Sequence, residues 1–197
     1  MSAEPSSLHR CIAVVGMNGV GKSNLGRALA SKLDRKCVDI DKEFTKTHGD
    51  IHAFIAAHGW ESFRRAEQEI IPLWLKPQYV TVLGGGAIES SEVRRLLKEQ
   101  ALVLWMQGGH KQVRRNLTRA KVARPEFKEK NLASTVKELL QARTPFYAEV
   151  ADIVLPPHVR FSQQVPVVLR LLAQERSAEG KDSGPHADGS GGGSEKA

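Results

Sequence analysis

An apolar run, Cys11 to Val15, leads directly into Gly16-Met17-Asn18-Gly19-Val20-Gly21-Lys22-Ser23, and an amphipathic stretch follows from Lys22 to Leu33. The eight residues fit the pattern G-x-x-x-x-G-K-[ST]. They stand between a predicted strand and a predicted helix, the context in which the pattern carries meaning. Glycines at 16, 19 and 21 permit positive φ, so the loop can curl with its backbone N–H groups facing inward at the positive end of the helix dipole. Such a cup suits a phosphate. Lys22 is placed to reach β- and γ-phosphates, and the Ser23 hydroxyl to ligate the Mg²⁺ that bridges them.

The rest of the chain continues the alternation that this unit begins. Cys37 to Ile40, Tyr79 to Leu83, Ala101 to Met106 and Asp152 to Leu155 are further near-continuous apolar runs, suited to strands covered on both faces. Between and after them, Trp60 to Leu75, Ser91 to Lys98, Lys111 to Arg119, Leu132 to Tyr147 and Ser162 to Gln174 repeat apolar residues at helical spacing. Strand and helix in alternation predict an α/β domain whose parallel strands are joined by right-handed crossovers.

Composition bounds the domain. From Arg176 to Ala197 there are six glycines, four serines and no Ile, Leu, Val, Met or aromatic residue, so the segment is expected to form a disordered tail. A folded domain is expected over 10–175, after a flexible leader at 1–9. The tail holds three basic and four acidic side chains, so the net charge of +7 becomes +8 over the remainder. That excess points to an anionic partner. Aromatic residues are only 6%, with no base-stacking motif, which argues against nucleic acid. No apolar run reaches the roughly 18–20 residues that span a bilayer, and no signal-peptide core is visible, so the chain is predicted to be soluble and cytoplasmic. Two cysteines, Cys11 and Cys37, are too few for a disulfide framework or a Cys-pair zinc site, and read as ordinary semi-buried thiols.

Two further clusters stand at the carboxyl ends of predicted strands, where α/β proteins place ligands. In Asp39-Ile40-Asp41, strand alternation would put both carboxylates on one side. One could hold the water shell of Mg²⁺ and the other orient or deprotonate a hydroxyl; equally, the pair could cap a helix starting near Lys42. Gly84-Gly85-Gly86 is either a flexible turn or a place where backbone approaches substrate closely, and its position favours the second. Arg64 and Arg65 lie beside Glu61, Glu67 and Glu69, the usual setting of exposed helix ion pairs.

Taken together, Gly16 to Ser23, Asp39-Ile40-Asp41, Gly59-Trp60-Glu61-Ser62-Phe63-Arg64-Arg65-Ala66-Glu67, Gly84-Gly85-Gly86, Arg124-Pro125 and Arg143-Thr144-Pro145-Phe146-Tyr147 occur in the order and approximate spacing of shikimate kinases. The resemblance covers about residues 10 to 155. Its Gly59-Trp60 pair is most similar to the shikimate kinase domain of the fungal multidomain aromatic-pathway enzyme. It implies a P-loop kinase fold, a three-layer α/β/α sandwich with a central five-stranded parallel sheet and a mobile lid at about 120–130. The implied reaction is transfer of the γ-phosphoryl group of ATP, with Mg²⁺, to the 3-hydroxyl of shikimate by a monomer.

Residue by residue, the resemblance places Gly16, Asn18, Gly19, Val20, Gly21, Lys22, Ser23 and Asn24 around ATP, with Ser23 and Asp39 at the metal. Asp41 would hold the acceptor hydroxyls and act as base. Arg64 and Arg143 would clamp the carboxylate, and Gly84, Gly85 and Gly86 would present backbone to the ring. Arg124 would close over the phosphates and Lys22 would support them from below. Asn24 stands where the family usually has Ser or Thr, and it can still donate to a phosphate. Glu126 and Phe127 follow Arg124-Pro125 where leucines are common, and Leu155-Pro156-Pro157-His158 is only loosely similar to the adenine-contacting segment. A kinase for another polyhydroxy acid such as gluconate, and a regulatory relative that binds nucleotide or a pathway metabolite, are the alternative readings.

Overall fold

The computed structural model describes residues 10–119 and 131–179. Strands β1 (Cys11–Val15), β2 (Lys36–Asp39), β3 (Tyr79–Val82), β4 (Ala101–Met106) and β5 (Ile153–Leu155) form one parallel sheet in the order β2-β3-β1-β4-β5. β1 and β4 are buried along their whole length, as their unbroken apolar sequences require. Helices α1 (Lys22–Lys32) and α7 (Phe161–Glu179) cover one face. On the other lie α3 (Ile51–Trp74), α4 (Ser91–Gln100) and α6 (Leu132–Val150). The predicted three-layer α/β/α sandwich with five parallel strands is therefore what the chain forms.

Because β1 is flanked by β3 on one side and β4 on the other, the connections diverge beyond its carboxyl end and leave a crevice there. Two shorter helices stand over that end, α2 (Ile40–His48) and α5 (His110–Arg119). A 3₁₀ turn, Ala87–Glu89, follows the triglycine after β3.

Boundaries differ from the sequence expectation at several ends, three of them with a clear physical cause. Ile40 begins α2 and does not end β2, since a helix starting there puts Ile40 and Phe44 on one face in the core, at 0% and 1% exposure. α3 starts at Ile51, nine residues before the predicted Trp60, with Asp50 as N-cap accepting from Ala53 N at 2.9 Å. At Gly59 (φ 79°, ψ 169°) the helix is broken, so the turns before and after it point different faces inward. α7 runs to Glu179, past the expected tail boundary at Arg176, because helix propagation needs only one backbone bond per added residue and no buried face. Residues 180–197 and the expected leader at 1–9 lie outside the described residues.

Cys11 is fully buried rather than semi-buried, with its Sγ 3.4 Å from Thr81 Oγ1. Burial pushes the thiols of Cys11 and Cys37 above their usual range, with the Asp39 carboxylate adding to the shift at Cys37. Among the described residues no helix is long and apolar enough to cross a membrane.

Gly26 is the contact point of α1 with the sheet. A Cβ there would lie 2.5 Å from Val82 Cγ2 and 3.3 Å from Cys37 Sγ. Alanine favours a helix by about 1 kcal/mol, but a β-branched neighbour in a strand cannot swing aside. Gly26→Ala is expected to lose about 1–2 kcal/mol in denaturant unfolding, and pairing it with Val82→Ala should reduce the further loss below additivity.

Candidate active site

The loop after β1 carries positive φ at Gly16 (142°), Gly19 (83°) and Gly21 (107°). Gly21, left-handed at the N-cap of α1, lets the first helical N–H groups open toward the loop. At Gly16 a Cβ would run into the Met106 carbonyl oxygen at the end of β4. Lys22, 8% exposed, donates from Nζ to Gly16 O (2.8 Å) and Met17 O (3.0 Å), holding the loop's curl from inside. Val20 is buried, and Asn116 of α5 donates to Gly19 O at 2.8 Å. A cavity of about 630 Å³ is lined by Asn18, Gly19, Gly21, Lys22, Ser23, Asn24, Asp39, Asp41, Asn116 and Arg119 among others. Asn24 accepts from Arg27 Nη2 at 2.5 Å.

Ser23 Oγ donates to Asp39 Oδ2 at 2.7 Å. Asp39 occupies the N-cap position of α2 without making a side-chain cap bond, so its carboxylate serves the loop and not the helix end. Asp41, in the first turn of α2, faces the same space by helical geometry. The expected strand alternation of Asp39 and Asp41 is thus replaced by a strand-to-helix junction that brings the two together. Ser23 and Asp39 form an oxygen-only pair beside the phosphate loop, which fits Mg²⁺, an ion held by one or two protein oxygens plus phosphates. No cage of three or more His, Cys, Asp or Glu side chains exists among the described residues.

A second cavity, about 330 Å³, adjoins the first and is lined by Asp41, Trp60, Phe63, Arg64, Glu67 and the triglycine, with Ile51 and Ile55 of α3 behind. The two cavities share Asn18, Ser23, Asp39 and Asp41. Each glycine here is packed by polar side chains. A Cβ on Gly84 would lie 2.6 Å from Glu67 Oε1 and 2.9 Å from Asp41 Oδ1, and one on Gly85 would lie 2.6 Å from Asn18 Oδ1. On Gly86 it would strike Arg64 Nη2 and come within 2.9 Å of Arg143 Nη2. Arg64 and Arg143, 79 positions apart in sequence, therefore converge on one glycine.

Arg64 donates to Glu67 Oε2 at 2.7 Å and lies 3.4 Å from Glu89 Oε2, with its guanidinium over the Trp60 ring at 5.4 Å. Arg143, 2% exposed, donates from Nε to Glu89 Oε1 at 2.9 Å. The helix-surface ion-pair reading holds for Arg65, paired with Glu61 in solvent, and not for Arg64, whose partner Glu67 is 2% exposed. Sequence reasoning missed Glu67, Glu89 and Tyr147. The Tyr147 hydroxyl donates to Gly85 O at 2.6 Å and its ring stacks on Trp105. Of the basic run on α5, Arg119 lines the loop cavity, while Lys111, Arg114 and Arg115 line a separate surface groove with it. Arg124 and the expected lid at 120–130 lie outside the described residues.

A phosphate loop whose cavity opens directly onto a second cavity walled by carboxylates and arginines, on a sheet of order 2-3-1-4-5, defines a P-loop small-molecule phosphotransferase. The family model described as shikimate kinase matches residues 18–171. The shikimate kinase of Psychrobacter cryohalolentis is 33% identical over 180 residues, covering 90% of this chain and 96% of that protein. That of Caulobacter vibrioides is 36% identical over 167 residues, covering 84% of this chain and 83% of the relative. The solved structure of shikimate kinase from Acinetobacter baumannii in complex with shikimate superposes with a TM-score of 0.78 at 26% identity, covering 85% of this chain and 95% of the other. The chain belongs to the shikimate kinase family.

Gly86 has an ordinary backbone conformation (φ −99°, ψ −4°), and the atoms that a Cβ would meet are the guanidinium groups of Arg64 and of buried Arg143. Gly86→Ala is expected to displace both guanidinium groups and, because Arg143 is enclosed, to lower unfolding free energy by about 1–3 kcal/mol. Shifted Nε–H resonances of Arg64 and Arg143 by NMR, with a correspondingly lowered denaturant midpoint, would show this.

Proposed function

We propose that the chain transfers the γ-phosphoryl group of ATP to the 3-hydroxyl of shikimate, giving shikimate 3-phosphate and ADP. The observation that carries this reading is the shared wall of the two cavities. Asn18, Ser23, Asp39 and Asp41 border both, so a donor phosphate and an acceptor hydroxyl on either side would meet at these residues. Such juxtaposition supplies most of what phosphoryl transfer needs from a protein.

Inward-facing N–H groups of the loop would hold the β-phosphate. Lys22, already beside the loop carbonyls, would move its ammonium toward the γ-phosphate, where negative charge builds during transfer. Mg²⁺, with Ser23 Oγ as ligand and Asp39 ordering its water shell, would neutralise charge on the β- and γ-oxygens. On the acceptor side, the carboxylate of shikimate would sit between Arg64 and Arg143, whose planar forks suit it. Trp60, Ile51 and Ile55 would cover the ring.

Asp41 would orient the 3-hydroxyl and accept its proton as the oxygen attacks phosphorus and the bond to the β–γ bridging oxygen breaks toward ADP. A fold neighbour, the gluconokinase from Sinorhizobium meliloti, is 16% identical with a TM-score of 0.60, a likeness of fold alone. The two converging arginines favour a compact hydroxylated carboxylate.

A coupled assay of ADP release with ATP, Mg²⁺ and shikimate tests the proposal. Shikimate-dependent turnover supports it; nucleotide binding with no such turnover would leave a regulatory relative. Lys22→Met is expected to lower kcat at least about 10²- to 10³-fold. Asp41→Asn, nearly isosteric, should lower kcat about 10²- to 10⁴-fold and leave KM for ATP within a few-fold. If Asp41→Asn instead changed chiefly the affinity for ATP, its assignment to the acceptor side would be wrong.

A further inference from the structure

The arginine pair is already matched by two carboxylates of very different burial. Glu67, with 3% of its side chain exposed, packs against Gly84 and holds Arg64 Nη1 from beneath. Glu89, with 39% of its side chain exposed, reaches in from the 3₁₀ turn and bridges Arg143 Nε and Arg64 Nη2 at 2.9 and 3.4 Å. Among the described residues, Arg64 and Arg143 thus already face the carboxylates of Glu67 and Glu89 at the place where the acceptor's own carboxylate would bind.

Glu67 cannot leave, because its surroundings would strand a charge in the core. Glu89 can. Its backbone is anchored independently of its carboxylate: Arg94 Nη1 donates to Ile88 O (2.9 Å) and Glu89 O (3.1 Å), and Arg94 Nε is 2.8 Å from Glu149 on α6. The side chain can therefore swing toward solvent without disturbing the turn. Its 3.4 Å approach to Arg64 is also the longest ion-pair distance in the cluster, so that arm is the weaker.

We infer that Glu89 is a resident counter-ion of the carboxylate clamp, one that the incoming substrate carboxylate displaces and that thereby sets substrate affinity. This rests on the shikimate reading above. While Glu89 spans the arginines it neutralises Arg143 deep in the fold. When the substrate carboxylate arrives, it takes over that neutralisation and Glu89 turns outward. The apparent dissociation constant is then the intrinsic one divided by the fraction of molecules whose clamp is open. If that fraction is about 10–30%, removing the competing charge tightens binding about three- to tenfold.

Glu89→Gln keeps the length and an amide oxygen that can accept from Arg143 Nε, and removes only the charge. In the ADP-release assay with saturating ATP and Mg²⁺, KM for shikimate is expected to fall about three- to tenfold, with KM for ATP within twofold. Equilibrium binding of shikimate and of its uncharged methyl ester separates charge from shape. Glu89→Gln should tighten shikimate and leave the ester unchanged, a split that a merely structural role would not produce. Glu89→Thr, which removes the hydrogen bond as well as the charge, should move shikimate affinity in the same direction, and denaturant unfolding of both variants checks that each is folded.

A rise in KM for shikimate in both variants would overturn the proposal and make Glu89 a positioning residue. Equal shifts for acid and ester would overturn it too. If the wild-type chain shows no shikimate-dependent ADP release, it is the functional reading that fails; normal wild-type turnover with unimproved variants fails the counter-ion alone.

Discussion

The packing of Gly16 against the end of β4 is the constraint on which the site depends. With φ at 142° and the Met106 carbonyl where a side chain would be, this position admits only glycine, and it fixes where the loop leaves the sheet. Everything that follows is placed relative to that exit. Lys22 folds under the loop onto Gly16 O and Met17 O, and Ser23, one residue on, faces the end of β2 and bonds Asp39. Asn18 reaches across to receive Gly85 N at 3.2 Å, and Tyr147 donates to Gly85 O from the other side. The phosphate loop and the triglycine are thus locked together through Gly85, so the donor and acceptor cavities keep one relative position. Kinase chemistry needs that rigidity because most of its catalysis is placement and electrostatics.

Parts of this arrangement are legible in the chain because they are local. Strand, glycine loop and helix follow one another within residues 11–33, and periodicity alone places the five strands to within a residue or so at each end. Asp39 and Asp41 were found by their position after a strand, although the geometry that unites them is a helix start set by burial of Ile40 and Phe44. What stays hidden is non-local or looks ordinary. Glu67 three residues after Arg64 has the signature of a solvent ion pair, and only the fold shows that it is enclosed and packed against Gly84. Glu89 meets Arg143 across 54 positions and Tyr147 meets Gly85 across 62, spacings that carry no periodic signal. The short helical segment before Gly59 escaped because two glycines, Gly49 and Gly59, bracket it like a loop.

The excess of positive charge also takes a clearer form once the side chains have places. Beside the triglycine the two arginines are paired with carboxylates, Arg64 with Glu67 and Glu89, Arg143 with Glu89. Around the loop, Lys22 and Arg119 border the cavity together with Asp39 and Asp41. ATP brings several negative charges and a metal; a substrate carboxylate brings one. Among the described lining residues, carboxylates equal or outnumber cations at both cavities, so the positive excess of the chain lies outside them.

The pairing of Arg143 with a carboxylate follows from burial. A guanidinium as enclosed as that of Arg143 costs stability when it is left without an anion. On the proposed reading, a clamp built from such a residue is best served by a counter-ion that holds it before substrate binds and yields afterwards. Both demands are met when the anion is anchored by its backbone and free at its carboxylate, which is how the 3₁₀ turn presents Glu89. If Glu89 yields to the substrate carboxylate in this way, attraction for substrate is traded against stability of the empty fold.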